Sequence, residues 1–138
     1  MALNGETALL ADLKARLMEI EDLGSSASLL GWDEAVFMPS AGARVRARQK
    51  ARLAALTHQK ATDPALGRLL DRLAAFAGSL PEDSPDVALI RVARRDFDPA
   101  TRVPAEYVAR ASEQRLSILQ CLGWRAAGKR LCRHHALS

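Results

Sequence analysis

The residues best suited to chemistry in this sequence lie in one short segment, Gly31-Trp32-Asp33-Glu34. An aromatic ring beside carboxylates can line a cleft, although a core tryptophan next to a solvated aspartate is the commoner arrangement. Adjacent carboxylates on a helix point in different directions, so Asp33 and Glu34 are not expected to share a proton or a metal ion. The sequence leaves both interpretations of Trp32 and Asp33 open, the groove wall and the core residue beside a surface charge.

Metal ligation and nucleophilic catalysis find little support in the residue spacing. A His-Glu-x-x-His helix places two imidazoles one turn apart on one face, and that pattern does not occur in this sequence. His58 stands alone, which is typical of a surface or hydrogen-bonding histidine. Zinc could be bound by Cys121, Cys132, His134 and His135, but adjacent histidines near a chain end rarely converge on one ion. No serine or cysteine nucleophile with a base is recognisable either.

A basic cluster follows the acidic segment and consists of Arg44, Arg46, Arg48, Lys50 and Arg52. Alternate positions on a helix are about 200° apart, so these side chains are predicted to spread around the helix instead of forming one patch. A solvated helix is the favoured interpretation, and contact with phosphates is the alternative. The net charge of +4 is only mildly basic and does not by itself indicate a nucleic-acid partner.

The composition is that of a folded protein whose core is built by small and aliphatic residues. Hydrophobic residues make up 49% and aromatic residues only 4%, so Ala, Leu and Val must fill a core that suits closely packed helices. The length of 138 residues allows one such core. There is no apolar run of membrane-spanning length, no signal-peptide pattern and no cysteine framework. We therefore expect a cytoplasmic protein with free thiols and no membrane partner.

Apolar spacing and capping residues predict an all-α fold with about five or six helices, because no stretch alternates long enough to form a strand. The first helix is predicted over residues 6–23, where Gly24 is a left-handed stop. Ser25 or Ser26 then caps a second helix over residues 27–38. The remaining helices are predicted over residues 43–61, from Asp63-Pro64 to Gly78, from Ser84-Pro85 to Phe97, and from Pro104 onwards.

Short segments spaced along the chain form an ordered series. They are residues 23–34 (LGSSASLLGWDE) with Met38-Pro39, then Gly42-Ala43 with residues 46–49 (RARQ), His58, Thr62-Asp63-Pro64, Leu69-Leu70, and Arg94-Arg95-Asp96 with residues 101–104 (TRVP). This series resembles the N-terminal region of the carboxypeptidase Taq family of metallocarboxypeptidases. The resemblance covers about residues 8–115 of the sequence.

The resemblance implies an all-helical zinc peptidase, usually dimeric, that removes single residues from the C-termini of peptides. Its N-terminal helices cover a deep groove, so the resemblance makes Trp32 and Asp33 candidates for the wall of a substrate groove. The family's His-Glu-x-x-His helix and later acidic ligand match no residue here, so no catalytic or metal-binding residue is carried over. Zinc and peptide substrates therefore belong to the full-length family. We expect this chain to be an inactive N-terminal portion that can self-associate through exposed helix faces.

The division expected along the chain is a helical segment over residues 1–115 and a divergent tail over residues 116–138. The tail holds both cysteines, two of the three histidines and one of the two tryptophans. Read one nucleotide later, the codons that encode residues 128–138 allow Ala-Asn-Asp-Phe-Ala-Ala and, two residues on, Pro-Tyr-Leu, which resembles the family's continuation. The tail is therefore predicted to be frameshifted. Two other functions stay open: a helical protein-interaction module and a weak nucleic-acid binder that uses residues 44–52.

Overall fold

A computed structural model describes residues 2–108, 110 and 111, and each regular element within them is helical. The helices are α1 (Ala2–Val36), a short 3-10 turn (Ser40–Gly42), α2 (Ala43–Ala61), α3 (Pro64–Ala77) and α4 (Pro85–Ala100). A further helical turn covers residues 105–108. The all-α prediction is confirmed, and four α-helices are close to the five or six predicted. None of these described helices has the length and hydrophobicity that crossing a bilayer requires.

Helix α1 continues through Gly24, so the prediction of a helix end there and a new cap at Ser25 or Ser26 is wrong. The hydroxyl of Ser26 donates to the carbonyl of Asp22 at 2.8 Å, and that of Ser28 donates to the carbonyl of Gly24 at 3.0 Å. Serine can bond back to the preceding turn in this way without ending a helix. The helix packs against both α2 and α3, and this packing offsets the cost of about 1 kcal/mol for an internal glycine.

The starts of α3 and α4 agree with the sequence prediction because both depend on local signals. The carboxylate of Asp63 accepts a hydrogen bond from the backbone N–H of Ala65 at 2.8 Å, and a proline opens α3. The hydroxyl of Ser84 accepts from the N–H of Asp86 at 3.3 Å, and a proline opens α4. Each cap binds an N–H that has no partner inside its own helix.

The core lies between the N-terminal half of α1, α3 and α4. Leu13, Leu70 and Leu73 are its fully buried side chains, and Leu10, Leu66, Leu69, Ile90 and Ala93 complete the cluster. Helix α2 contributes one buried residue, Ala51, which is not part of that cluster. Helix α2 and the C-terminal half of α1 therefore form a helical hairpin outside the main core.

Candidate functional site

A surface groove of about 460 Å³ lies where α1 ends and α2 begins. Its lining combines apolar side chains with one carboxylate, one guanidinium and one amide: Asp33, Phe37, Met38, Pro39, Gly42, Val45, Arg46 and Gln49. Ligand sites typically have volumes of roughly 300–1,000 Å³ and pair an apolar lining with a few placed polar groups. The groove is therefore of a size and chemistry that can accept an apolar group beside a polar anchor.

The corner that forms this groove follows from the local sequence. The backbone N–H groups of Phe37 and Met38 both donate to the carbonyl of Asp33, at 2.9 and 3.0 Å, and so bond a carbonyl at the end of α1. Pro39 cannot continue the helix. The N–H of Gly42 then donates to the carbonyl of Pro39 at 2.9 Å, and a Cβ at Gly42 would lie 3.3 Å from Cγ of Met38. A glycine at this position thus allows the turn to close against the methionine.

Two ion pairs hold the groove end of α1 against α2. The Asp33 carboxylate lies 2.6 Å from the Arg46 guanidinium, which also donates to the carbonyl of Leu30 at 3.5 Å. The ammonium of Lys50 lies 2.9 Å from the carboxylate of Glu34, with 22% and 12% of their side chains exposed. Acidic side chains at a helix C-terminus oppose its negative dipole end. The two cations of α2 compensate that charge and link the two helices.

Trp32 lies on the surface beside the groove. It is 57% exposed, so the interpretation of a core tryptophan is wrong. Its ring packs edge-to-face against Phe37, with centroids 5.6 Å apart and planes at 67°. Asp33 lines the groove directly, whereas Trp32 adjoins it through Phe37. The role of both residues in a substrate-groove wall stays a prediction.

The structure brings together residues that the sequence did not associate. Phe37, Val45 and Arg46 share the groove with Asp33, although they come from the end of one helix and the start of the next. The available signal was the acidic pair Asp33-Glu34 before the turn and two cations one helical turn apart after it, Arg46 and Lys50. The five cations do spread around α2, as predicted. They form two separate lines, one with Arg46 and Lys50 and the other with the three remaining arginines.

The described residues do not fit a metal ion, because within them no three His, Cys, Asp or Glu side chains come together. His58 is engaged in a protein contact: its Nε2 lies 2.9 Å from the carbonyl oxygen of Val103, which can only accept, so this nitrogen donates. The zinc hypothesis that names Cys121, Cys132, His134 and His135 lies outside the described residues.

The comparison with known proteins identifies the family. The sequence model of the carboxypeptidase Taq (M32) metallopeptidases matches residues 12–130, which include every residue that lines the groove. The chain belongs to the M32 family. This M32 chain is also similar to thermostable carboxypeptidase 1 of Thermus thermophilus, with 34% identity over 84 residues. That match covers 59% of this chain and 16% of the relative's length. No solved structure matches the M32 chain significantly.

These findings confirm the family resemblance, and they do not favour an interaction module or a nucleic-acid binder as the main function of the M32 chain. The division between residues 1–115 and 116–138 is untested. The family match extends to residue 130 and leaves residues 131–138 beyond it.

Proposed function

We propose that this chain supplies the N-terminal helical portion of a metal-dependent carboxypeptidase that removes C-terminal amino acids from peptides. The family match over residues 12–130 carries this proposal. Peptide substrates and zinc belong to the complete enzyme in this proposal. A cytoplasmic location is part of it and is supported by the low cysteine content, since two cysteines in the sequence are too few for a disulfide framework.

The same proposal gives Asp33 and Trp32 a place in the wall of the peptide groove. The apolar surfaces of Phe37 and Val45 can accept a substrate side chain, and the Asp33 carboxylate can accept a hydrogen bond from a peptide N–H. Arg46 supports this role because its ion pair with Asp33 holds the carboxylate at the groove. These residues would position a peptide and would take no part in bond cleavage.

We also propose that the isolated chain has no peptidase activity. Metal-assisted hydrolysis of a peptide bond needs a polarised carbonyl and an activated water. The sequence contains no His-Glu-x-x-His pattern to supply the ligands and the general base. The hydrolytic part of the mechanism is therefore assigned to residues that this chain does not carry.

An assay of the purified 138-residue chain with zinc or cobalt and an N-blocked dipeptide tests this proposal. We expect no released amino acid above the metal-only control. Release that a chelator abolishes would contradict the assignment of hydrolysis to other residues.

The nucleotide sequence provides a second test, both of the N-terminal assignment and of the proposed frameshift in residues 116–138. We expect the DNA beyond codon 138 to encode a His-Glu-x-x-His helix in one frame. A closed or unrelated shifted frame through codons 128–138 would rule out the frameshift.

A further inference from the structure

Helix α2 has one basic face whose charges are paired with carboxylates of α1. Its 19 residues include six lysines and arginines and no acidic residue. Three of these cations form ion pairs with carboxylates of α1, and the pairs are Arg46 with Asp33, Lys50 with Glu34, and Lys60 with Glu19. The charges on this face are used to hold α2 against α1.

A second basic line on α2 has no such use. Arg44, Arg48 and Arg52 are four residues apart and so lie on one side of the helix, over a length of about 12 Å. All three side chains are exposed, and none forms an ion pair with any residue that the structure describes. We call this line the arginine stripe.

The arginine stripe is continuous with apolar surface. Val45 and Leu56 are exposed on the same side of α2, close to its two ends. Val45 and Gln49 also line the groove at the α1–α2 corner. Protein interfaces are enriched in arginine, methionine and aromatic side chains, and the groove adds Phe37 and Met38 to the arginines. Contacts with nucleic-acid phosphates would engage the arginines but leave the apolar groove unused.

We propose that the arginine stripe and the adjoining groove bind an acidic, amphipathic helix of a partner protein. Glutamates four residues apart on such a helix repeat at the spacing of the three arginines, and each guanidinium can pair with a carboxylate through two parallel hydrogen bonds. An apolar side chain of the partner enters the groove beside Phe37 and Val45, as in other helix-in-groove complexes. The arginine stripe goes beyond the proposed peptidase role, whereas the groove is the one assigned above to the peptide, so peptide and partner helix would exclude each other there. Failure of this binding proposal would leave the family membership unchanged.

Fluorescence anisotropy at low salt tests the surface with the full chain. The probe is a labelled synthetic helix with glutamate at every fourth position and leucine along one side, and its counterpart has glutamine in place of glutamate. We expect the triple variant Arg44→Gln, Arg48→Gln, Arg52→Gln to weaken binding of the acidic probe at least about tenfold. Phe37→Ala is expected to weaken it about threefold through the groove.

The matched control is Arg68→Gln, Arg72→Gln, Arg91→Gln, which removes the same charge from exposed positions on α3 and α4. We expect this control to change binding less than about twofold. Equal losses in the two triple variants would overturn the proposal, because net charge alone would then explain the binding. Absence of binding at low salt would overturn it too. If single-stranded DNA binds as tightly as the acidic probe, the arginine stripe recognises phosphate and the proposal of a protein partner is wrong. Circular dichroism confirms that each variant is folded.

Discussion

Two regions of this molecule differ in how deeply their apolar side chains are buried. The core region comprises the N-terminal half of α1, α3 and α4, and it encloses the fully buried Leu13, Leu70 and Leu73. The hairpin region comprises helix α2, the C-terminal half of α1 and the turn between them. Large apolar side chains such as Leu29 and Phe37 are exposed in this region. Ion pairs join helices in both regions, such as Lys14 with Asp86 in the first and Arg46 with Asp33 in the second, but only the first also encloses fully buried leucines.

This difference assigns the two regions different roles: the core region stabilises the fold, and the hairpin region exposes surface for binding. A fully buried leucine contributes about 1.5–3 kcal/mol, whereas an exposed ion pair contributes about 0–1 kcal/mol. The hairpin region is therefore expected to open at a lower free-energy cost than the core region. It also carries the groove, the exposed Trp32 and the arginine stripe. The part of the chain with fewer buried side chains thus presents the surfaces that can contact another molecule.

The largest effect that tests this comparison is expected at the centre of the core region. Leu70→Ala removes a fully buried side chain and is expected to lower the free energy of unfolding by about 2–5 kcal/mol. Leu29→Ala makes the same change at a site in the hairpin that is 65% exposed, and we expect a cost below about 0.5 kcal/mol. Urea denaturation followed by circular dichroism measures both. Similar costs for the two variants would remove the distinction between the regions.

A smaller loss of stability is expected at Gly67, where α3 contacts α4. A Cβ at Gly67 would lie 2.9 Å from Cζ of Phe97, so Gly67→Ala forces the ring to move. Overpacking costs about 1–3 kcal/mol and the gain in helix propensity is about 1 kcal/mol, so the net loss is expected to be about 1 kcal/mol. In a Phe97→Leu background the same substitution should become neutral or stabilising in urea denaturation. A loss that persists there would mean that the ring is not the obstacle.

The core region could be predicted from the sequence to a large extent because its signals are local. The caps at Asp63-Pro64 and Ser84-Pro85, and the leucine spacing that includes Leu70 and Leu73, are complete within one or two helical turns. The hairpin region depends on tertiary contacts. Whether Gly24 ends a helix is decided by what packs along α1, and sequence spacing does not contain that information.

The candidate site shows the same limit. Trp32 and Asp33 could be chosen as candidates for a groove wall through the family resemblance, and of the two only Asp33 lines the surface groove. The other groove residues could not be predicted. Val45 and Arg46 reach the groove only because the turn after Phe37 brings α2 back along α1. The exposure of Trp32 was also beyond the sequence, since aromatic residues at helical spacing usually pack in a core.

The ion pairs of the hairpin are expected to differ according to their burial. Glu34→Gln leaves the partly buried Lys50 without its anion and should lower the free energy of unfolding by about 1 kcal/mol. Glu19→Gln removes the more exposed partner of Lys60 and should cost less than about 0.5 kcal/mol. Urea midpoints at low and high salt measure both effects. A double-mutant cycle of Glu34→Gln and Lys50→Gln isolates the coupling energy between the two side chains. Zero coupling would show that the pair does not hold the hairpin.

A small effect of opposite sign tests whether α1 is one helix across both regions. Gly24 lies in the middle of α1, and a Cβ there would meet nothing within 4 Å. Gly24→Ala is therefore expected to raise the free energy of unfolding by about 0.5–1 kcal/mol, since alanine restricts the unfolded chain and favours the helix. A left-handed stop at this position would give the opposite sign, because alanine is strained in that conformation. The sign of the shift in the urea midpoint thus decides whether the core and hairpin regions share a continuous helix or meet at a break.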